Sequence, residues 1–201
     1  MAVLLLLSPD AFSGPQVASI NACTDQLVLK LADRGQIATV SHYAGNAEFS
    51  YMAGAAAGLP RNHGHAEEVL AHNPDLVFAG PYTRRETMHR LKALGFRVVT
   101  VASPSDLAGI RQNIRQVAGV LGHPERGARL IERMDRTLAA VRRRLPEPSR
   151  RLRALVLRPN GVTVGEGALL DRLLHAAGLR NVGRELGAGV YADVPLEKLV
   201  T

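Results

Sequence analysis

Tryptophan is absent from this chain of 201 residues, cysteine occurs once, and tyrosine and phenylalanine occur four times each. The single Cys23 excludes an intrachain disulfide, so cysteine usage is silent on redox compartment. No stretch approaches the ~20 consecutive apolar residues that span a bilayer. Two enzyme signatures are missing, the Gly-x-Ser-x-Gly elbow and the Gly-x-x-x-x-Gly-Lys-Ser/Thr loop, and Gly165-Glu166-Gly167 lacks the third glycine of a dinucleotide fingerprint. No catalytic residue and no cofactor is therefore assigned, and the chain is read as a non-enzyme. Lysine is also scarce: of 25 basic residues only Lys30, Lys92 and Lys198 are not arginine. The net charge of +7 invites a nucleic-acid reading, but the arginines are spread over helix faces and aromatics make up only 4% of the chain. A nucleic-acid surface would cluster the two, so no nucleic-acid partner is expected.

What is present is an ordinary globular composition with 46% hydrophobic residues, enough to bury a core. Residues 17–20, 37–40, 76–79 and 98–101 read as short buried strands. Helices are expected over 24–31, 84–94 and 106–121, with glycine stops at Gly95 and Gly122. This alternation predicts a parallel sheet whose ligands sit beyond the carboxyl ends of its strands. Residues 44–66, rich in Gly, Ala and His, read as a weak helix over 49–57 and then a long loop. Pro124 suits the first turn of a long helix reaching about Leu145, where Ile131, Met134, Leu138, Val141 and Leu145 form one apolar stripe before Pro146 and Pro148 end it. A strand over 154–157, a helix over 167–177 stopped by Gly178, a brief strand at Val182 and a final helix start after Pro195 follow.

Two patterns occur twice. Glu67-Glu68-Val69-Leu70 runs into Pro74-Asp75-Leu76-Val77, and its counterpart Pro195-Leu196-Glu197-Lys198-Leu199-Val200 meets the last residue before any strand. Asp25-Gln26-Leu27-Val28, with Gly35 and Ile37, returns as Asp171-Arg172-Leu173-Leu174, with Gly178 and Val182. Matched units of this kind predict an α/β protein of two parallel-sheet lobes joined by a long backbone helix, with the second lobe incomplete. The boundaries expected are a partial signal peptide over 1–15, a first lobe over 16–121, a joining helix over 122–147 and a second lobe over 148–201. Residues 2–7, then Ser8-Pro9 and Ala11-Phe12-Ser13, read as a clipped export signal without a basic n-region.

The segments Ala18-Ser19-Ile20-Asn21-Ala22-Cys23-Thr24-Asp25-Gln26-Leu27, Asn62-His63-Gly64, Glu67-Glu68-Val69-Leu70 with Pro74-Asp75-Leu76-Val77, and Pro195-Leu196-Glu197-Lys198-Leu199 together resemble periplasmic substrate-binding proteins of ABC importers, in the cobalamin and iron-siderophore group. The resemblance implies a periplasmic monomer that captures an iron-siderophore, haem or cobalamin-like metal chelate and delivers it to a membrane permease. It further implies that Glu67 and Glu197, one on each lobe, dock on permease arginines. Tyr191 falls where the cobalamin-binding member carries a ligand-packing aromatic. The equivalent aromatic of the first lobe falls at Gly80, a departure that leaves Tyr43 and Tyr82 as the other ligand-binding candidates.

An alternative reading starts from His63-Gly64-His65 with His42 and His72, since imidazoles bind zinc and manganese. It would make the protein a metal-ion carrier of a related importer. A closed site wants about four converging donors, and no such set is evident, so no metal ligand is assigned and His63 is expected to shape the loop before the Glu67 helix. A small α/β enzyme is the remaining alternative.

Overall fold

A parallel strand covered on both faces has no polar side to show, so it reads as an unbroken apolar run. Leu76–Ala79 is such a run, and all four residues are buried. The computed structural model, which describes residues 14–145, 147 and 150–199, divides into two units: Met1–Ala102 with Ile114–Gly127, and Ser103–Asn113 with Ala128–Thr201. In chain order the elements are β1 (Val17–Ser19), α1 (Ala22–Leu31), β2 (Ile37–Ser41), β3 (Arg61–Asn62), α2 (Ala66–Leu70), β4 (Leu76–Ala79), α3 (Arg85–Ala93), β5 (Arg97–Thr100), α4 (Leu107–Val120), α5 (Pro124–Arg142), β6 (Arg153–Ala154), β7 (Val162–Thr163), α6 (Leu169–Ala176), β8 (Arg180–Asn181), α7 (Val182–Glu185) and β9 (Ala192–Asp193). Helices α4 and α5 each carry residues of both units.

The first unit holds a five-stranded sheet in the order β3-β2-β1-β4-β5, parallel at every pairing. Chain direction across the sheet reverses between β1 and β4, which opens a crevice beyond their carboxyl ends. Val17 and Ala18 of β1, Phe78 of β4, Val28 of α1, Val69 of α2 and Leu91 of α3 have no exposed surface and fill the layers between sheet and helices. The glycine stops behave as expected, because Gly95, Gly122 and Gly178 take φ of 85°, 81° and 80°, a region open to glycine at little cost. At the start of α5, Arg126 donates to the Leu31 carbonyl at 2.9 Å and to Asp33 at 2.6 Å. That hydrogen bond is the main force holding the Asp33 carboxyl below its ordinary range.

Residues 49–57 depart from the expected weak helix and form successive turns. Of the apolar residues here only Ala56 is buried, so no apolar face packs inward to hold a regular helix, and Arg34 donates to the Ala55 and Ala57 oxygens and Arg61 to the Ala56 oxygen. The backbone of this stretch closes mostly short i→i+3 bonds, as from Ala56 to Ala53 at 3.2 Å.

The second unit holds two small sheets, β6 paired parallel with β8 and β7 paired antiparallel with β9. The expected strand over 154–157 is shorter and earlier, at Arg153–Ala154. Val182, expected in a strand, instead opens α7, because the Asn181 side chain accepts the Gly183 N–H at 3.0 Å and caps a helix there. Helix α5 ends at Arg142; Pro146, Pro148, residues 1–13 of the expected export signal and the closing Val200-Thr201 lie outside the described residues. Among the described residues no helix is long and apolar enough to cross a membrane.

Candidate functional site

In a parallel sheet every strand delivers its next residues to the same edge, and here the carboxyl edge of the first unit receives Asn21 after β1, His42 and Tyr43 after β2, His63 after β3, and Gly80 to Tyr82 after β4. Three of these rings gather with a fourth from the following loop. The His42 and His63 imidazoles stack with centroids 4.8 Å apart, His42 lies 3.8 Å from Tyr43, and Phe49 meets Tyr43 edge-on at 5.6 Å. Rings of this size are normally covered. Yet Tyr43 is 42% and Phe49 61% exposed, so the cluster offers flat apolar area and polar tips to solvent. Tyr82 stands apart, 84% exposed and in no ring contact among the described residues. Tyr191 belongs to the second unit, 62% exposed just before β9, with the Arg158 guanidinium 5.8 Å from its ring centroid, a cation-over-face arrangement.

The floor of this edge is polar, and its two buried anchors, Asn62 and Asp25, are hydrogen-bonded. Asn62, without exposed surface, donates to the Ser19 carbonyl at 3.0 Å and to Thr39 Oγ1 at 3.1 Å, and accepts the Gly64 N–H at 3.1 Å. One side chain thereby ties β1, β2 and the His63 loop together. Asp25, also fully buried, accepts the Ser41 N–H at 3.1 Å and the Ser41 hydroxyl, joining α1 to the end of β2 just before His42. Burial pushes the Asp25 carboxyl above its ordinary range against the opposing pull of hydrogen bonds from Ser19 and Ser41.

The second unit repeats both devices. Asp171 is buried in the first turn of α6 and accepts from Asn181 Nδ2 at 3.0 Å, while Asn181 also donates to the Val164 carbonyl at 3.0 Å. The Asp25 and Asp171 repeat was legible in the sequence. The Asn62 and Asn181 repeat was not read there, although its signal, Arg61-Asn62-x-Gly64 matched by Arg180-Asn181-x-Gly183, is present.

Gly80 answers why no aromatic stands at that point of the rim. A Cβ there would lie 2.7 Å from Asn21 Nδ2 and 2.8 Å from its Cγ, and Asn21 caps α1 by accepting the Cys23 N–H at 2.9 Å. Gly80→Ala is therefore expected to push Asn21 off its cap and destabilise the protein by about 1 kcal/mol, measured by urea unfolding. An unchanged midpoint would show that Asn21 yields without losing the cap.

The two adjacent carboxylates of α2 have different partners. Glu68 accepts the His63 backbone N–H and sits 3.1 Å from the His63 ring, which holds its carboxyl below the ordinary range and fixes the His63 loop as expected. Glu67 points outward, 2.7 Å from Arg90 of α3, with both side chains about 60% exposed. Glu197, in the one-turn 3-10 segment Leu196–Leu199 of the second unit, is exposed. Among the described residues no cluster of three or more His, Cys, Asp or Glu is arranged to hold a metal ion; His42 and His63 approach each other ring on ring, and the carboxylate beside them, Glu68, engages the His63 backbone N–H and ring.

Comparison with known proteins follows the same lines. Residues 17–201 match the family described as periplasmic binding protein. No curated protein matches the chain. Among solved structures, the chain is 26% identical to the periplasmic haem-binding protein RhuT from Roseiflexus sp. RS-1, with a TM-score of 0.73 over 92% of this chain and 72% of that one. A possible iron-binding, periplasmic solute-binding protein from Staphylococcus epidermidis superposes with a TM-score of 0.78 at 14% identity, covering 94% of this chain and 74% of that one. The periplasmic vitamin B12-binding protein BtuF of Vibrio cholerae gives a TM-score of 0.66 at 19% identity, covering 92% of this chain and 72% of that one. With the family match spanning nearly all of the described chain and the same fold in these structures, this chain belongs to the periplasmic binding proteins of ABC importers.

Proposed function

We propose that the protein captures a metal chelate of the haem, iron-siderophore or cobalamin class in the periplasm and presents it to an ABC permease. The observation that carries this reading is the exposed cluster of His42, Tyr43, Phe49 and His63 on the carboxyl edge of the first sheet. A bare zinc or manganese ion needs three or four protein donors. A chelate brings most of its own donors and asks the protein for flat apolar area and one or two axial ligands, and imidazole and phenol are the axial ligands of haem iron. The cluster supplies that combination, and within the class it favours haem. Two further supports are the names of the similar structures, two of which bind haem or vitamin B12, and the second exposed tyrosine surface at Tyr191 and Arg158.

Helix α5, which begins in the first unit and continues into the second, supports reading 122–147 as the joining element between a lobe over 16–121 and a lobe over 148–201. Family membership supports export to the periplasm. In this scheme Glu67 and Glu197 are the permease-docking carboxylates, and Tyr43, Tyr82 and Tyr191 contact the cargo.

Haem, cyanocobalamin and a ferric catecholate are the probes that test the cargo, followed by visible absorbance and tyrosine fluorescence. Haem is expected to bind with a shifted Soret band, and Tyr43→Ala is expected to weaken binding by about tenfold, the worth of one aromatic contact of ~1.4 kcal/mol. If none of the three probes perturbs either signal, the ligand class is wrong.

A further inference from the structure

The second unit contains a cavity of about 720 Å³ lined by residues of α4, α5, α6 and the segment entering β6, within the size range of small-molecule sites. Its chemistry is divided. Leu138, Leu145 and Ala176 give it apolar walls, and Arg142, Arg151 and Arg172 stand on the same lining. A fourth arginine, Arg111, is already satisfied: its guanidinium engages Asp135, with Nε 3.0 Å from Oδ1 and 3.3 Å from Oδ2. The remaining acid of the lining, Asp106, accepts the Gly109 N–H at 2.7 Å.

Among the described residues Arg142, Arg151 and Arg172 form no ion pair, and Arg151 Nε is buried with no hydrogen-bond partner. Such an atom is an unmet donor that costs free energy until an acceptor arrives. Three guanidinium groups on one lining also repel one another, more strongly where apolar walls lower the local dielectric. An anion relieves both, and the planar guanidinium fork matches phosphate and carboxylate oxygens.

We propose that this cavity is a second small-molecule site, selective for an organic anion that carries a phosphate or carboxylate on an apolar body, the anion lying on Arg142, Arg151 and Arg172 and the body against Leu138, Leu145 and Ala176. The site does not depend on the identity of the cargo held by the first unit's rim.

The test is calorimetric titration with 1-naphthyl phosphate, against 1-naphthol and inorganic phosphate, with the His175 ring protons, also on the cavity lining, followed by NMR as a local reporter. 1-Naphthyl phosphate is expected to bind at least tenfold more tightly than either half and to shift the His175 signals. Arg142→Ala and Arg172→Ala, at exposed positions, are each expected to reduce affinity at least fivefold, and Arg172→Lys to fall between, since it keeps the charge and loses the fork. Equal binding of 1-naphthol would reduce the cavity to an apolar patch, and equal binding of inorganic phosphate would reduce it to a bare oxyanion site. Either result, unchanged affinity in the alanine variants, or no shift at His175 on saturation would overturn the proposal.

Discussion

Replacing both Glu67 and Glu197 with alanine is expected to weaken docking on the cognate permease by about 100-fold or more, with each single replacement giving roughly tenfold. Each carboxylate is exposed, so losing its partner costs about 1.4 kcal/mol, less than the ~2–5 kcal/mol of a fully desolvated pair. Carboxylates on separate units act nearly independently, so the two factors multiply. Haem affinity is expected to be unchanged, since neither residue belongs to the ring cluster. The present partner of Glu67 is no obstacle. Its contact with Arg90 is an exposed pair at 2.7 Å, of a kind worth at most ~1 kcal/mol, so a permease arginine can replace it. Arg90→Ala should therefore leave docking intact or strengthen it. The measurement is surface plasmon resonance on permease in nanodiscs, and docking that survives the double replacement would remove the assigned role of both carboxylates.

Asp25 carries the second large effect, with opposite signs for two substitutions. Asp25→Ala leaves the buried Ser41 N–H and hydroxyl without an acceptor and is expected to destabilise the protein by roughly 3 kcal/mol. Asp25→Asn keeps both bonds, because its carbonyl accepts the N–H and its amide donates to the hydroxyl oxygen. Burial raises the folded-state pKa of Asp25 above the usual 3.8, so the fold favours the protonated acid. The stabilisation from that proton is complete below the unfolded pKa and is lost as pH rises through the folded value. Asp25→Asn cannot lose it. The variant should match the parent near pH 3.5 and exceed it in stability at pH 8, by thermal unfolding. A gap that stays constant across that range would show that Asp25 is ionised in the fold at no penalty.

The same residue shows how far the chain could be read in advance. Asp25 at a helix start, Gly35, and the apolar run from Leu76 to Ala79 are local signals, each complete within about ten residues. They determined the order of strands and helices, the stops at Gly95, Gly122 and Gly178, and the family. Residues 49–57 show the limit, because only burial in the fold decides that Ala56 alone of their apolar residues packs inward, whereas the Asn181 cap ahead of Val182 is a local signal that the strand expectation passed over. Asn62 shows it again: its partners lie 43 and 23 residues away, beyond the reach of any periodicity.

Local hydrogen bonding and side-chain period are written into neighbouring residues, so the sequence alone determined that this is an α/β chain with a parallel sheet and a carboxylate in the first turn of a helix in each half. Only the tertiary structure decided that His42, Tyr43, Phe49 and His63 meet at one edge, that Glu68 is tied to its loop while Glu67 stays outward, and that Arg142, Arg151 and Arg172 share the lining of one cavity. Those outcomes depend on strand order and helix packing, which are set by burial summed over the whole core, and no short segment carries that sum.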